Sequence, residues 1–202
     1  KYNHTGESII YGDTDSVYFT AHKTLQNDID AGKITWSKES VIALYDKIAE
    51  EMNTTFSSFM TKAFHCPSTR GSVIKAGREL VASKGLFITK KRYAVLYYDV
   101  EGERTDTAGK EGKMKAMGLD LKRSDTPVFV QNFLSELLLM VLTGKTEEEV
   151  LEKITEFRLE FKARPGWEKG SPKRANNVTK YTAAEEKQGR ANMPGHVRAS
   201  MN

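Results

Sequence analysis

The sequence predicts an α+β protein: an antiparallel sheet with a long helix packed on one face, followed by a mostly helical segment. Three observations carry that expectation. Two short runs rich in β-branched and aromatic residues, Ser8-Ile9-Ile10-Tyr11 and Ser16-Val17-Tyr18-Phe19, flank a Gly12-Asp13-Thr14-Asp15 tip, the pattern of a β-hairpin with a polar turn. Val41, Leu44, Ile48, Met52, Phe56 and Phe59 recur at three- and four-residue intervals, an apolar stripe of about five helical turns suited to packing on a sheet. From Ser72 to Val100 the pattern returns to strands, and from Ser124 to helices.

In chain order, the first hairpin leads into a polar segment, 21–35, that reads as a loop. Ser37 or Ser40 is placed to cap the long helix, and Pro67, Ser68 and Gly71 break the chain after it. The next strands are expected at Ser72-Val73-Ile74-Lys75, Leu80-Val81-Ala82, Gly85-Leu86-Phe87-Ile88-Thr89 and 93–100. Glu101-Gly102-Glu103 should turn the chain, and a further strand is expected at 113–118. Thr126 has the character of an N-cap, Pro127 of a first helical residue and Gly144 of a helix stop. Between them Val130, Phe133, Leu134, Leu137, Leu138 and Val141 keep the helical period. Thr146 and Glu149 form a capping box for a second helix carrying Val150, Ile154, Phe157 and Phe161 inward, so the two helices make an antiparallel hairpin. The tail from Arg164 has no clear period and is basic.

Composition bounds the function classes. The chain has 202 residues, 39% of them hydrophobic and 29% charged, with a net charge of +4. That suits a globular protein with a real core and is compatible with a nucleic-acid partner. A single cysteine, Cys66, excludes an internal disulfide and fits a reducing compartment. No signal peptide and no apolar run of bilayer length is recognisable, so no membrane partner is expected. The chain opens at Lys1, close to its hairpin, and is expected to be a piece of something longer.

The hairpin tip holds the first chemistry. Asp13 and Asp15 are two residues apart, and strand alternation would lean both to one side. Paired carboxylates at a tight turn suit a hard cation such as Mg2+, which takes few protein oxygens and keeps positions for phosphate and water. Asp is also common in turns because its side chain bonds nearby amides, so the pattern alone leaves both explanations open. Lys90-Lys91-Arg92-Tyr93 could read nucleic acid or merely solvate a strand edge.

Three stretches together resemble DNA polymerase family B. Tyr11-Gly12-Asp13-Thr14-Asp15-Ser16 resembles the signature of its palm hairpin. Lys90-Lys91-Arg92-Tyr93 is similar to the motif that follows, and Met117-Gly118-Leu119-Asp120-Leu121-Lys122-Arg123-Ser124-Asp125-Thr126-Pro127 resembles the passage from palm into thumb. Gly85 after Ser83-Lys84, Lys115-Ala116-Met117-Gly118, Ala175-Asn176-Asn177, Lys180-Tyr181 and Gly195-His196-Val197-Arg198 resemble the T-even bacteriophage branch.

The resemblance implies a palm segment over 1–123 and a partial thumb over 124–202. It implies primer extension by two-metal nucleotidyl transfer, with Mg2+ as cofactor and with primer–template DNA and deoxynucleoside triphosphates as partners. Asp15 would be the metal ligand and Asp13 a shaping catalytic residue. Lys90, Lys91, Arg92 and Tyr93, with Lys91 in the minor groove, would contact DNA, as would Lys122, Arg123, Ser124 and Thr126. Glu79 is a weaker candidate beside the metals. On a strand, Lys91 and Tyr93 would share one face and Lys90 and Arg92 the other. The basic tail, Lys169 to Arg190, could follow the duplex backbone or stay solvated. The family's other palm carboxylate motif, its fingers motif and its exonuclease motif do not occur in these residues, so the chain by itself is expected to be inactive. The alternatives are a non-catalytic duplex-binding module or one subunit of a split polymerase. A phage protein of this kind would act in the host cytoplasm, and an exposed sheet face invites self-association.

Overall fold

Tyr93-Ala94-Val95-Leu96 is a run of four apolar residues with no polar alternation, the pattern of a strand covered on both faces. In the computed structural model, which describes residues 8–107 and 109–171, all four are buried. They belong to β4 (Arg92–Val100), the central strand of a four-stranded antiparallel sheet with β3 (Leu80–Thr89), β5 (Glu103–Arg104) and β6 (Lys113–Met117). A separate antiparallel hairpin is formed by β1 (Ile9–Asp13) and β2 (Ser16–Phe19). The architecture is α+β. The chain divides into two units, Lys1–Gly118 and Leu119–Asn202.

In the first unit the long helix expected from periodicity is present as α2 (Lys38–Phe64), with α1 (His22–Asp30) before it and α3 (Ser68–Gly71) after it. Ser37 caps α2: its hydroxyl accepts from the Ser40 amide while the Ser40 hydroxyl accepts from the Ser37 amide, satisfying two otherwise orphaned donors. Val41 packs with Val81 of β3 and Tyr98 of β4, and Trp36, Ile42 and Tyr45 close around them. Further along the stripe Leu44, Ile48 and Phe56 are half-buried. Met52 and Phe59 lie exposed, Phe59 at 56%.

Three expectations about local structure are corrected. The polar segment 21–35 contains a helix, α1, because tertiary burial of Leu25 anchors it. A single buried residue in nine gives no period to recognise in sequence. Conversely, Ser72-Val73-Ile74-Lys75 forms no strand, and Val73 stands 78% exposed. Side chains instead fix this connection. The Asn53 amide group exchanges two hydrogen bonds with the Ala76 backbone, at 2.7 and 2.9 Å. Arg78 then donates to Asp46 of α2 and to Asp99 of β4. The two strands expected between 80 and 89 are one strand, because Gly85 lets it run on beneath the Phe87 ring; a Cβ there would meet that ring at 2.9 Å.

Asp99 is 1% exposed and carries the only buried charge among the described core residues. Its carboxylate accepts from Arg78 and from the Gly102 amide, which closes the turn before β5. Burial opposes the Arg78 charge, and the bonds to Asp46 and Asp99 outweigh it, raising the guanidinium pKa. A second network ties the start of α2 to the segment after β5: Asp106 accepts from Lys38 at 2.5 Å and from Arg104 at 2.8 Å. Hydrogen bonds from Arg104 and then Lys38 hold the Asp106 carboxyl well below the usual range.

The second unit opens on a 3-10 turn at Asp120–Lys122, followed by α4 (Val128–Thr143), α5 (Glu147–Ala163) and α6 (Gly166–Lys169). Helix α4 begins one residue later than the sequence suggests. Pro127 is its cap, and the Thr126 hydroxyl donates to the Asp120 carbonyl instead of capping. Gly144 in the left-handed region, φ 80°, ends it. The Thr146–Glu149 capping box is present, and the α4–α5 pair closes on stacked Phe133 and Phe157 rings 3.7 Å apart. Val141, in the apolar period of α4, is 46% exposed.

Replacing Arg78 by Ala leaves Asp99 buried without its cation, and we expect a loss of about 3–5 kcal/mol of unfolding free energy. Urea denaturation of the chain measures it; a loss below about 1 kcal/mol would contradict this role. Asp106 sets a pH dependence of definite sign. Its folded pKa lies below its unfolded value, so its contribution is complete above that value, near 3.8, and is lost as pH falls toward the folded one. Acid titration of Asp106→Asn should show a shallower loss of stability below about pH 4 than the parent chain; superimposable curves would refute it.

Candidate functional site

The two hairpin turns are where the candidate residues meet. Asp13 is the last residue of β1, and Thr14 and Asp15 form a two-residue turn, with Thr14 in the left-handed region at φ 54°. Asp15 is therefore a turn residue, and strand alternation does not relate it to Asp13. Asp13 is half-buried and engaged: the Thr14 hydroxyl donates to it at 3.2 Å, the Tyr11 hydroxyl at 3.5 Å, and Lys91 Nζ lies 4.0 Å away. Asp15 is exposed and makes no hydrogen bond or ion pair among the described residues.

Lys90 and Lys91 are likewise a two-residue turn, between β3 and β4, and Lys91 has φ 62°. Lys90, Lys91, Arg92 and Tyr93 thus do not alternate as one strand, and the expected division of faces is replaced by a turn that presents both lysines at its tip. Lys90 makes no side-chain bond among the described residues. Arg92 is used internally, its Nε donating to the Gly118 carbonyl at 3.1 Å. Tyr93 is buried under the hairpin, where its hydroxyl accepts from that of Tyr18 at 3.4 Å and its ring packs against Tyr11.

Tyr11 is the residue sequence reasoning passed over. Its hydroxyl accepts from the Lys91 amide at 2.9 Å and donates toward Asp13, linking turns 80 positions apart. Its ring packs with those of Phe87 and Tyr93, centroids 5.6 and 5.3 Å apart, and Tyr18 completes the cluster. Burial and then the bond to Tyr93 hold the Tyr18 phenol above its ordinary pKa, so it stays neutral. A signal was available: Tyr11 lies two residues before Asp13 on one strand, hence on its face.

Gly118 closes the arrangement. It sits at φ 64° where β6 ends, and a Cβ there would collide with the Lys91 carbonyl. Three stretches far apart in sequence, around Tyr11, Lys91 and Gly118, are joined at one turn.

The remaining candidates are placed differently. Glu79 accepts from Lys115 at 2.6 Å, a surface ion pair. In the second unit, Arg123 forms a two-pronged pair with Asp125, at 2.9 and 2.8 Å, which offsets its charge. Thr126 is spent on Asp120, while Lys122 and Ser124 are exposed with no side-chain bond among the described residues. Of the basic tail, everything beyond 171 lies outside the described residues, including Ala175-Asn176-Asn177, Lys180-Tyr181 and Gly195-His196-Val197-Arg198.

As a metal site the geometry supplies one unshared carboxylate, Asp15, and one engaged carboxylate, Asp13. No group of three or more His, Cys, Asp or Glu is gathered for a metal among the described residues. That fits an ion of the Mg2+ type, which needs only one or two carboxylates beside water and phosphate oxygens. Nor is any described helix long and apolar enough to cross a membrane.

Comparison with known proteins gives a consistent result. A family model described as DNA polymerase family B matches residues 2–164. The DNA-directed DNA polymerase of Escherichia phage RB69 is 32% identical over 143 residues, 66% of this chain and 15% of that protein. That of Enterobacteria phage T4 is 28% identical over 183 residues, 86% of this chain and 20% of that protein. The DNA polymerase alpha catalytic subunit of Oxytricha trifallax is 29% identical over 156 residues, 77% of this chain and 8% of that protein. The chain therefore spans a fifth or less of the length of these relatives.

Tyr11→Phe removes the bridging hydroxyl and keeps the ring. We expect a stability loss of about 1 kcal/mol. Amide exchange at Lys91 should become clearly faster, while exchange in the centre of β4 follows only the change in global stability. Unchanged exchange at Lys91 would refute the bridge.

Proposed function

Because this chain belongs to DNA polymerase family B, we propose that it is a palm segment, 1–123, with a partial thumb, 124–202, of a DNA-directed DNA polymerase related to those of the T-even phages. The observation that carries the reading is the bond between the two turns. Tyr11 of the Tyr-Gly-Asp-Thr-Asp-Ser stretch accepts from Lys91 of the Lys-Lys-Arg-Tyr stretch, so two motifs of that family meet at one place.

In this reading Asp15, exposed and unshared, is the carboxylate offered to Mg2+. The chemistry such ions would supply when bound is stabilisation of the attacking and leaving oxygens of nucleotidyl transfer. Asp13 shapes the site: Tyr11 and Thr14 donate to it, and Lys91 balances its charge. Lys91 projects a cation from a turn whose backbone is fixed by Tyr11 and Gly118. There it can donate to minor-groove acceptors, which every base pair presents in similar positions, and so test pair shape without reading sequence. Buried Tyr93 gives that turn a rigid footing. Exposed Lys90 and Lys122 favour phosphate contacts, with Ser124 beside the latter; the paired Arg123 contributes less. Deoxynucleoside triphosphate and the second palm carboxylate would be held by sequence beyond these residues, in one longer chain or a partner subunit acting in the host cytoplasm. The exposed Ile9, Ile10 and Val17 of the β1–β2 hairpin give such sequence, or a second copy, a surface to cover.

Incubated with primer–template, deoxynucleoside triphosphates and Mg2+, the purified chain should extend no primer. Extension that disappears in Asp15→Ala would overturn the requirement for a further carboxylate. The same chain should bind primer–template duplex with an affinity that falls as salt rises, and Lys91→Ala should weaken it about threefold to tenfold. Binding that is absent, or indifferent to salt and to Lys91, would remove the DNA reading.

A further inference from the structure

In the first unit, residues of α1, α2, β3 and β4 line an open cleft of about 510 Å³. That lies within the range of ligand sites, about 300–1,000 Å³. Four of the lining residues carry rings: His22, Trp36, Tyr45 and Tyr98. Their neighbours hold them in place. His22 stands edge-on to Trp36, centroids 5.0 Å apart, Phe19 stands edge-on to Tyr45 at 5.3 Å, and Lys38 lies 5.2 Å over Tyr98. Lys38 is paired with Asp106 and Lys23 is engaged as well, so neither cation calls for an anion here.

What the rings lack is acceptors. Tyr98 is 4% exposed, and its hydroxyl makes no hydrogen bond among the described residues. No fully buried side-chain nitrogen or oxygen among them lacks a partner, so this phenol is not sealed in but opens on the cleft that it lines. Burial, then the neighbouring Tyr45, pushes its pKa up to about 12, so it keeps its proton. The Tyr45 hydroxyl accepts from the Ala21 amide at 3.2 Å, which leaves its own O–H unused. The indole of Trp36, also in the lining, donates its N–H to no described residue. A phenol held nearly dry without an acceptor costs free energy that a bond to a ligand oxygen recovers.

We propose that this cleft docks a proline-rich segment of another protein in the polyproline II conformation. Its pyrrolidine rings lie on Trp36, Tyr45 and Tyr98, and its carbonyls accept from their O–H and N–H groups. Such a segment brings rigid apolar rings and backbone carbonyls that no internal hydrogen bond uses. Proline also carries no N–H, so it asks for no acceptor in return. An ordinary extended peptide would bury amides that these rings cannot satisfy. The occupant comes from outside these residues. The five prolines of the chain are scattered, and the closest pair, Pro165 and Pro172, stand seven positions apart, more than two turns of that helix. No residue of the two hairpin turns takes part, so the proposal stands or falls apart from the polymerase reading.

The chain contains two tryptophans, so Trp167→Phe leaves Trp36 as the sole reporter. Titrated into that variant, acetylated and amidated hexaproline should change Trp36 fluorescence saturably. An equally capped glycine–serine hexapeptide should bind at least about tenfold more weakly. Adding Tyr98→Phe keeps the ring and removes the hydroxyl, and should weaken hexaproline about threefold to tenfold. Its urea midpoint should stay level or rise, because that hydroxyl has no partner to lose. Ser83→Trp, which fills the cleft from its exposed wall, should abolish binding measured by calorimetry, with circular dichroism guarding against loss of fold. Absence of a saturable change, equal affinity for the glycine–serine peptide, a clearly lowered midpoint in Tyr98→Phe, or undiminished binding in both variants would overturn the proposal. So would saturable binding of caffeine, a flat ring with carbonyl acceptors, without binding of hexaproline, which would make the cleft a small-molecule site.

Discussion

The hydroxyl of Tyr11 is the constraint on which the site depends. It accepts from the Lys91 amide and donates toward Asp13, so one group fixes the distance between two turns whose strands belong to different sheets. Two-residue turns are stiff, and here each carries a left-handed residue, Thr14 in one and Lys91 in the other. Such residues cost free energy and persist only where their surroundings overdetermine them. Tyr11 on one side of Lys91 and Gly118 on the other provide that surrounding. The lysine side chain, 69% exposed, is thereby held at a defined place.

Beneath the turns the same logic runs into the core. Phe87 lies over Gly85, and the rings of Tyr11, Tyr18 and Tyr93 pack against it, so the hairpin rests on aromatic surface. Strand β4 connects that cluster to the one around Val41 and Tyr98 under α2. At the other end of β4, Arg78 forms a desolvated ion pair with Asp99 and reaches α2 through the half-exposed Asp46; the buried pair is a poor source of net stability. Asp15 and Lys91 are exposed, and their precision comes from buried strands.

Much of this was legible in the sequence because it is periodic or local. The long helix with a serine cap at Ser37 or Ser40, the capping box at Thr146, and the hairpin at Asp13 follow from patterns within a few residues. The family followed from three short stretches. What could not be read depends on contacts between distant positions. A helix anchored by Leu25 alone has no period. Val73 and Ile74 carry strand propensity but have no partner strand, and Asn53 and Arg78 decide their conformation. Lys90-Lys91 looks like part of a strand until the register with Arg92 shows it to be the turn. The charge of Arg123 looks available until Asp125 is seen to take it. The role of Tyr11 requires knowing that Lys91 lies beside it.

Among the described residues, the site holds one free carboxylate, Asp15, one shaped by its neighbours, Asp13, and a cation on a rigid turn, Lys91. Its coherence is the central claim, and a double-mutant cycle measures it most directly. Tyr11→Phe breaks the bond on one side of the Lys91 turn and Arg92→Met the bond to Gly118 on the other. If the turn is a single unit held from both sides, the two losses of unfolding free energy are coupled by at least about 0.5 kcal/mol. If they add within about 0.3 kcal/mol, the two contacts act independently and the account of a shared, preorganised turn is wrong.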